Sequence, residues 1–369
     1  MKENEKPSIR VFSFHSVKGG VGKSSLSLAS SIFAGEFKKE STLLVDGDLT
    51  GTSLLDCFPQ QSRATDPLQF DDFLFASPDR YLKIIRLPKL TFQPIPEVNN
   101  VDFFPGHTDL KSVKLAVPFL AQEWHLNFLE ERLNDLVEWA LKVGYKNIIF
   151  DFPPGLFGLS LAGVKMQLNF LKNSQKASRG VFPVPIFVSS SESVDFIALF
   201  RMLSDLILEI ISEREQESET TGNFFKCISF FLRIAFNKFR FSKKAGKGDP
   251  AIALGKEIIP KLEEWAYSPN QEERCRNDNI INQRRDKLRR ILVKSFDRKT
   301  KEASFSPLNQ VDDFSLERII PEMKRMLNIF EDNPNFFEQT FDPKKTVDQW
   351  NSWGANLLRL LKKVPNEIQ

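Results

Sequence analysis

The chain has 369 residues, 41% hydrophobic and 27% charged, with 51 Lys and Arg against 48 Asp and Glu. That is an ordinary globular composition with apolar residues enough for a sizeable core, and a net charge of +3 does not by itself imply a nucleic-acid partner. Three scattered cysteines, Cys57, Cys227 and Cys275, show neither a disulfide framework nor metal-site spacing, which fits a reducing cytoplasm.

The first residues, MKENEKPS, are polar and do not read as a secretory signal. Residues 9–15, IRVFSFH, read as a strand, and a glycine loop, SVKGGVGKSS, follows. SSLSLASSIFAGEF then reads as a helix. STLLVDGD is a second buried strand ending in Asp46 and Asp48, and VNNVDFFPG a third strand. HLNFLEERLNDLVEWALKVG has apolar residues at helical spacing and a glycine stop at Gly144. KNIIFDFPPG is a fourth strand closing on Asp151. VPIFVSSSES and FLRIAFNKF are further strands, separated by the helix VDFIALFRMLSDLILEII. The most apolar run, FFKCISFFLRIAF, contains Lys226 and Arg233 and is far shorter than the roughly 20 residues of a spanning helix.

Apolar strands alternating with helices predict an α/β fold: a mostly parallel sheet with helices on both faces. The whole chain, 1–369, reads as one P-loop domain. Within it 241–304 reads as a basic, mostly helical insertion whose apolar content looks thin for a core of its own. Two closing helices follow, SLERIIPEMKRMLNIF and TVDQWNSWGANLLRLLKKV, the latter within a C-terminal helical segment at 344–369.

The strand ends carry the chemistry. Strand C-termini in such a sheet open on one crevice, where ligands bind. The loop departs from G-x-x-x-x-G-K-[ST] in having Val17 where the first glycine belongs, followed by Lys18. Gly19, Gly20, Val21 and Gly22 would turn backbone N–H groups toward a polyphosphate, with Ser25 in the first turn of the helix behind them. Lys23 would reach the β- and γ-phosphates, and the Ser24 hydroxyl would ligate Mg²⁺. Asp151, at the end of an apolar strand, would hold the same ion through its water shell, and Asp46 is the third residue expected at the metal.

KGGVGKSS resembles the deviant phosphate loop, K-G-G-x-G-K-[ST], of the ParA/MinD family of ATPases. VDGDLTG is similar to that family's first switch segment and IIFDFPPG to its Walker B strand. PIFVSSSESVDF is similar to its T-P-E segment, and RIAFNKF to the strand whose asparagine contacts adenine, here Asn237. The resemblance covers residues 9–240. It implies an ATP-sandwich homodimer in which Lys18 reaches the partner's phosphates and Asp48 positions the attacking water. Lys18, Lys23 and Asp48 are then the catalytic set of a slow, Mg²⁺-dependent ATP hydrolase stimulated by a protein partner.

Several branches of this superfamily fit less well. Cluster-carrying members need paired interface cysteines, tyrosine kinases of this fold a C-terminal tyrosine cluster, and arsenite-pump ATPases a second loop; none is present. A ParA-like switch that binds DNA without sequence preference, to partition or position a cargo, is favoured by 19 Lys and Arg against 10 Asp and Glu from Arg233 to Glu302. The alternatives are a MinD-like positioning ATPase and a nucleotide-gated protein scaffold. The first would bind membrane through Trp350, Trp353, Leu357, Leu360, Leu361 and Val364, a stripe that reads more readily as packing. Switch I reads DGDLTG, without the proline-glutamine usual in plasmid-partition members after the second acid.

Overall fold

The computed structural model describes residues 8–49, 54, 68–86, 93–94, 98–106, 125–173, 180–190, 192–214, 234–237, 250–267 and 279–302. They fall in two compact units, one running to Ile186 and one starting at Phe187.

The first unit opens with β1 (Ile9–Ser16), the loop, and α1 (Lys23–Ile32). The expected helix does not run on to Phe37: a π-helical turn takes over at Phe33–Phe37. Gly35 in that turn is pressed so close to the Asn99–Val101 backbone that a Cβ would lie 2.2 Å from the Val101 side chain. A tertiary contact thus reshapes the helix end. Then come β2 (Thr42–Asp46), α2 (Phe70–Leu74), α3 (Pro78–Arg86), β3 (Gln93–Pro94) and β4 (Val101–Phe104). α4 (Leu126–Val143) ends at Gly144 with φ +100, as its glycine stop predicts. β5 (Asn147–Asp151) and α5 (Gly158–Asn173) follow.

The strands lie in the order β3-β4-β2-β5-β1. β1, β2, β4 and β5 run parallel, and β3 pairs antiparallel at the edge. Every residue of β2 and β5 is buried, and since side chains alternate sides, both faces of the sheet are covered. One register position sets up the site. Asp46, the last residue of β2, pairs with Asp151, the last residue of β5, and Asp151 pairs in turn with Phe14 of β1. The core gathers Val11, Val45, Phe104, Leu129, Leu133, Ile148 and Phe150, each worth roughly 1.5–3 kcal/mol in burial.

The chain leaves the first unit through β6 (Val181–Ser190). The second unit continues with α6 (Ser193–Arg214), β7 (Ile234–Asn237), α7 (Pro250–Tyr267) and α8 (Asn279–Glu302). The end of β6 pairs parallel with β7. The apolar residues of α7, and the fewer ones of α8, sit at helical spacing. Leu262, Trp265, Leu288, Leu292 and Phe296 are buried. Phe200 of α6 meets Trp265 and Phe296 edge-on at 6.5 and 5.3 Å. The opposite side of α8 exposes Arg284, Lys287, Arg290 and Lys294. Both closing helices expected after residue 304, with Trp350 and Trp353, lie outside the described residues, as do the three cysteines. No described helix is long and apolar enough to cross a membrane.

Candidate nucleotide site

The loop between β1 and α1 is shaped by its glycines. Gly20 and Gly22 have φ +74 and +87, a conformation that strains any residue with a Cβ. Gly22 also stands where α1 takes its N-cap, and no side chain caps that helix and no acid lies in its first turn. Its leading N–H groups therefore have no capping side chain, and the positive end of its dipole has no acidic complement in that turn. Beside Gly19 and Gly20 a Cβ would meet nothing within 4 Å, so the loop's outer side is an open cradle. Lys18 is exposed on it, Val21 is buried beneath it, and Ser24 and Ser25 are half-buried. The serines farther along α1 are buried because they satisfy themselves: Ser30 and Ser31 donate to the carbonyls of Leu26 and Ser27, one turn back, at 2.6 and 2.9 Å.

Lys23 turns inward and is 5% exposed. Its Nζ lies 2.6 Å from Asp151 Oδ1 and 3.6 Å from Asp48 Oδ2. Burial works against its charge, but Asp151, Asp48 and Asp46 outweigh it and raise the ammonium pKa, so the group is cationic. Burial, helped by the nearby Asp48, raises the Asp151 carboxyl's pKa on balance, although Lys23 and the Ser24 hydroxyl pull it down; the 2.6 Å contact with the Lys23 ammonium is what favours its ionised form. Asp46 takes a different part. Oδ2 accepts the Leu54 N–H at 2.9 Å and Oδ1 the Asp48 N–H at 3.3 Å, which ties both residues to the end of β2. Gly47 N–H donates to the Asp151 carbonyl at 2.9 Å and ties the two acid-tipped strands together.

The residues fit the Mg²⁺ that an ATP site implies. Asp151 Oδ2 is buried with no hydrogen-bond partner among the described residues, and the Ser24 hydroxyl lies close to the same carboxylate. Three carboxylates around one ammonium leave an excess of negative charge that a divalent cation offsets. No three acids, histidines or cysteines among the described residues converge into a cage.

Of the residues singled out in the sequence, Lys23, Asp48 and Asp151 meet directly, with Asp46 close behind. Lys18, Gly19, Gly20, Val21, Gly22, Ser24 and Ser25 form the loop and first helical turn. Asn237 is the last residue of β7, in the second unit. Sequence reasoning missed His15, Ser13, Ser160, Gln167 and Phe152, which pack directly behind the loop. The visible signal was a histidine, one of three in the chain, at the end of an apolar strand.

No protein-family model and no curated protein matches the sequence. Among solved structures, the chain is similar to a ParA family ATPase from Chlorobium tepidum TLS. Identity there is 16% over 80% of this chain and 99% of that one, with a TM-score of 0.38. It is similar to a putative plasmid partition protein from Borrelia burgdorferi B31 bound to AMPPNP, at 17% identity over 88% and 99%, TM-score 0.39. The MinD cell division protein of Aquifex aeolicus matches at 14% identity over 77% and 97%, TM-score 0.35. The loop KGGVGKSS, the acid-tipped strands β2 and β5 and the parallel sheet that holds them are the features by which this chain resembles the ParA/MinD ATPases.

Proposed function

We propose that the chain is a Mg²⁺-dependent ATP hydrolase of the ParA type, acting as a nucleotide-dependent switch. The observation that carries the reading is Lys23, buried and cationic at the base of an open glycine cradle, with Asp151 and Asp48 on either side. Loop N–H groups and the start of α1 receive the phosphates, and Lys23 brings a full positive charge to them. Ser24 and Asp151 hold Mg²⁺, which supplies charge neutralisation on the phosphates, and Asp46 supports from behind. Asp48 orients the water that displaces ADP from the γ-phosphoryl group. Lys18, exposed at the loop, reaches the phosphates of a second copy, so dimerisation depends on γ-phosphate charge and Lys18 offsets negative charge in the transition state. Asn237 contacts the adenine. Turnover is slow until a protein partner stimulates it.

In the ATP state the dimer binds DNA without sequence preference, to partition or position a cargo. The exposed row Arg284, Lys287, Arg290 and Lys294 on α8 supports this reading. The test is fluorescence anisotropy of a random-sequence duplex titrated with Asp48→Ala protein, with ATP and with ADP, at two salt concentrations. Binding with ATP alone, weakening with salt, is expected. Binding in neither state would move the weight to a membrane or protein partner.

A further inference from the structure

Behind the phosphate loop runs a fully buried polar chain that the proposed reaction does not use. His15, next to last on β1, is 0% exposed. Its Nδ1 is 2.9 Å from Ser160 Oγ and its Nε2 2.8 Å from Ser13 Oγ. Gln167 Nε2 donates to the same Ser13 oxygen at 2.6 Å. Ser160 and Gln167 both stand on α5, so two residues of β1 are bound to two places along one helix. Phe152, the residue after Asp151, stacks on the imidazole with ring centres 5.1 Å apart. Gly163 of α5 closes on that ring so tightly that a Cβ would lie 2.4 Å from it.

Packing alone does not call for such a chain. An apolar side chain would fill the strand position without the desolvation that a buried imidazole has to recover through hydrogen bonds. Here both ring nitrogens are bonded. Ser13 accepts from Gln167 and keeps a second lone pair and its own proton for Nε2, so the pair of serines can serve either neutral tautomer of the ring. Burial and the nearby Lys23 keep the ring neutral.

Position is what the chain transmits. The segment between Asp151 and α5 is bonded to β1 at Phe152 N–H to Phe14 O, 3.2 Å, and Gly155 N–H to Ser16 O, 2.7 Å. Its far end is the start of α5, where Ser160 sits. Asp151 itself is held to β1 by the sheet, so where α5 starts relative to β1 bears on where the turn that follows Asp151 stands relative to the loop that leaves β1. We propose that His15 is a positioning residue of the nucleotide site, fixing the start of α5 through Ser160 and so holding the turn after Asp151 against the strand that carries the phosphate loop. Its effect on turnover rests on the ATP reading above; its effect on the turn does not.

His15→Asn keeps a polar atom near Nδ1, His15→Gln keeps one near Nε2, and Ser160→Ala removes the far partner. With one hydrogen bond at stake, kcat for MgATP hydrolysis should fall about tenfold in His15→Gln and Ser160→Ala, with KM within about twofold. His15→Asn should stay within about twofold in both, and the His15→Gln, Ser160→Ala double variant should be no slower than either single one. Amide hydrogen exchange gives a readout independent of hydrolysis: protection of the bonded amides Gly155 and Leu161, at the turn and the start of α5, should drop in His15→Gln and Ser160→Ala and persist in His15→Asn. If the unaltered protein hydrolyses no ATP, the ATP reading fails and the exchange pattern still judges His15. Equal exchange in His15→Asn and His15→Gln, or unchanged protection in Ser160→Ala, would overturn the proposal.

Discussion

Lys23 Nζ lies 2.6 Å from Asp151 Oδ1, although 128 positions separate them in sequence. Burial is tolerable for each charge only because the other is there. Deleting one partner of such a pair costs about 3–5 kcal/mol, whereas replacing both with neutral groups costs little. Lys23→Ala is therefore expected to lower stability by about that amount and to abolish ATP binding. Lys23→Met combined with Asp151→Asn should regain most of the stability and none of the binding. Thermal denaturation beside an ATP titration separates the two effects.

Lys18 stands in contrast, exposed on the same loop. Lys18→Ala should change stability by no more than about 0.5 kcal/mol, as an exposed substitution does. It should still bind nucleotide but stay monomeric with ATP, as read by light scattering after size-exclusion chromatography. A variant that dimerises and hydrolyses normally would rule out a lysine supplied across the interface.

Asp48 reaches Lys23 at 3.6 Å, and its N–H is bonded to Asp46 Oδ1. Removing a group that positions the attacking water commonly costs 10²- to 10⁴-fold in rate, so Asp48→Ala should hydrolyse at least about 100-fold more slowly. It should also accumulate as the ATP dimer, which phosphate release and sedimentation would report together.

His15 carries a pH dependence. Burial, and then Lys23, lower its pKa from 6.5 to about 3, so the folded protein keeps the ring neutral where the unfolded chain protonates it. The stability tied to this difference is complete above about pH 6.5 and is lost as pH falls toward 3, at roughly 1.4 kcal/mol per pH unit. Between pH 6.5 and 5 the loss should be about 2 kcal/mol, and His15→Asn should flatten that part of the denaturant-midpoint profile.

The exposed row on α8 predicts a graded effect. Arg290→Glu and Lys294→Glu should weaken DNA binding by the ATP-state protein alike on any sequence. For each DNA phosphate that a variant no longer neutralises, the slope of log affinity against log salt should become shallower by about 1. Core packing of α8 should be untouched, because Leu288, Leu292 and Phe296 face the other way.

Much of the site was legible because it is local. A glycine loop between a strand and a helix, and acids at the ends of apolar strands, are visible as residue types at set spacing. The order of β1, α1, β2, β4, α4 and β5 followed from periodicity. α5 escaped for a physical reason: nearly all of its residues from Leu159 to Phe170 are buried or half-buried, so it has no polar stripe to give a helical period. The short helices α2 and α3 carry too few turns to stand out. The Phe33–Phe37 turn depended on a neighbour, the Asn99–Val101 backbone pressing on Gly35.

By itself the sequence determined which groups are available: a loop that must adopt left-handed backbone at Gly20 and Gly22, a lysine one residue into a helix, and carboxylates at two strand ends. Those are properties of short segments, set by sterics and side-chain chemistry. Tertiary structure alone decided which groups share charge. The parallel register that pairs Asp46 with Asp151 brings distant acids around Lys23, and burial then makes their interaction strong enough to hold the ammonium charged. Packing of α5 on β1 sets His15 against Ser160. Neither pairing has a local signature, because each is fixed by hydrogen bonds between strands and by packing between residues more than a hundred positions apart.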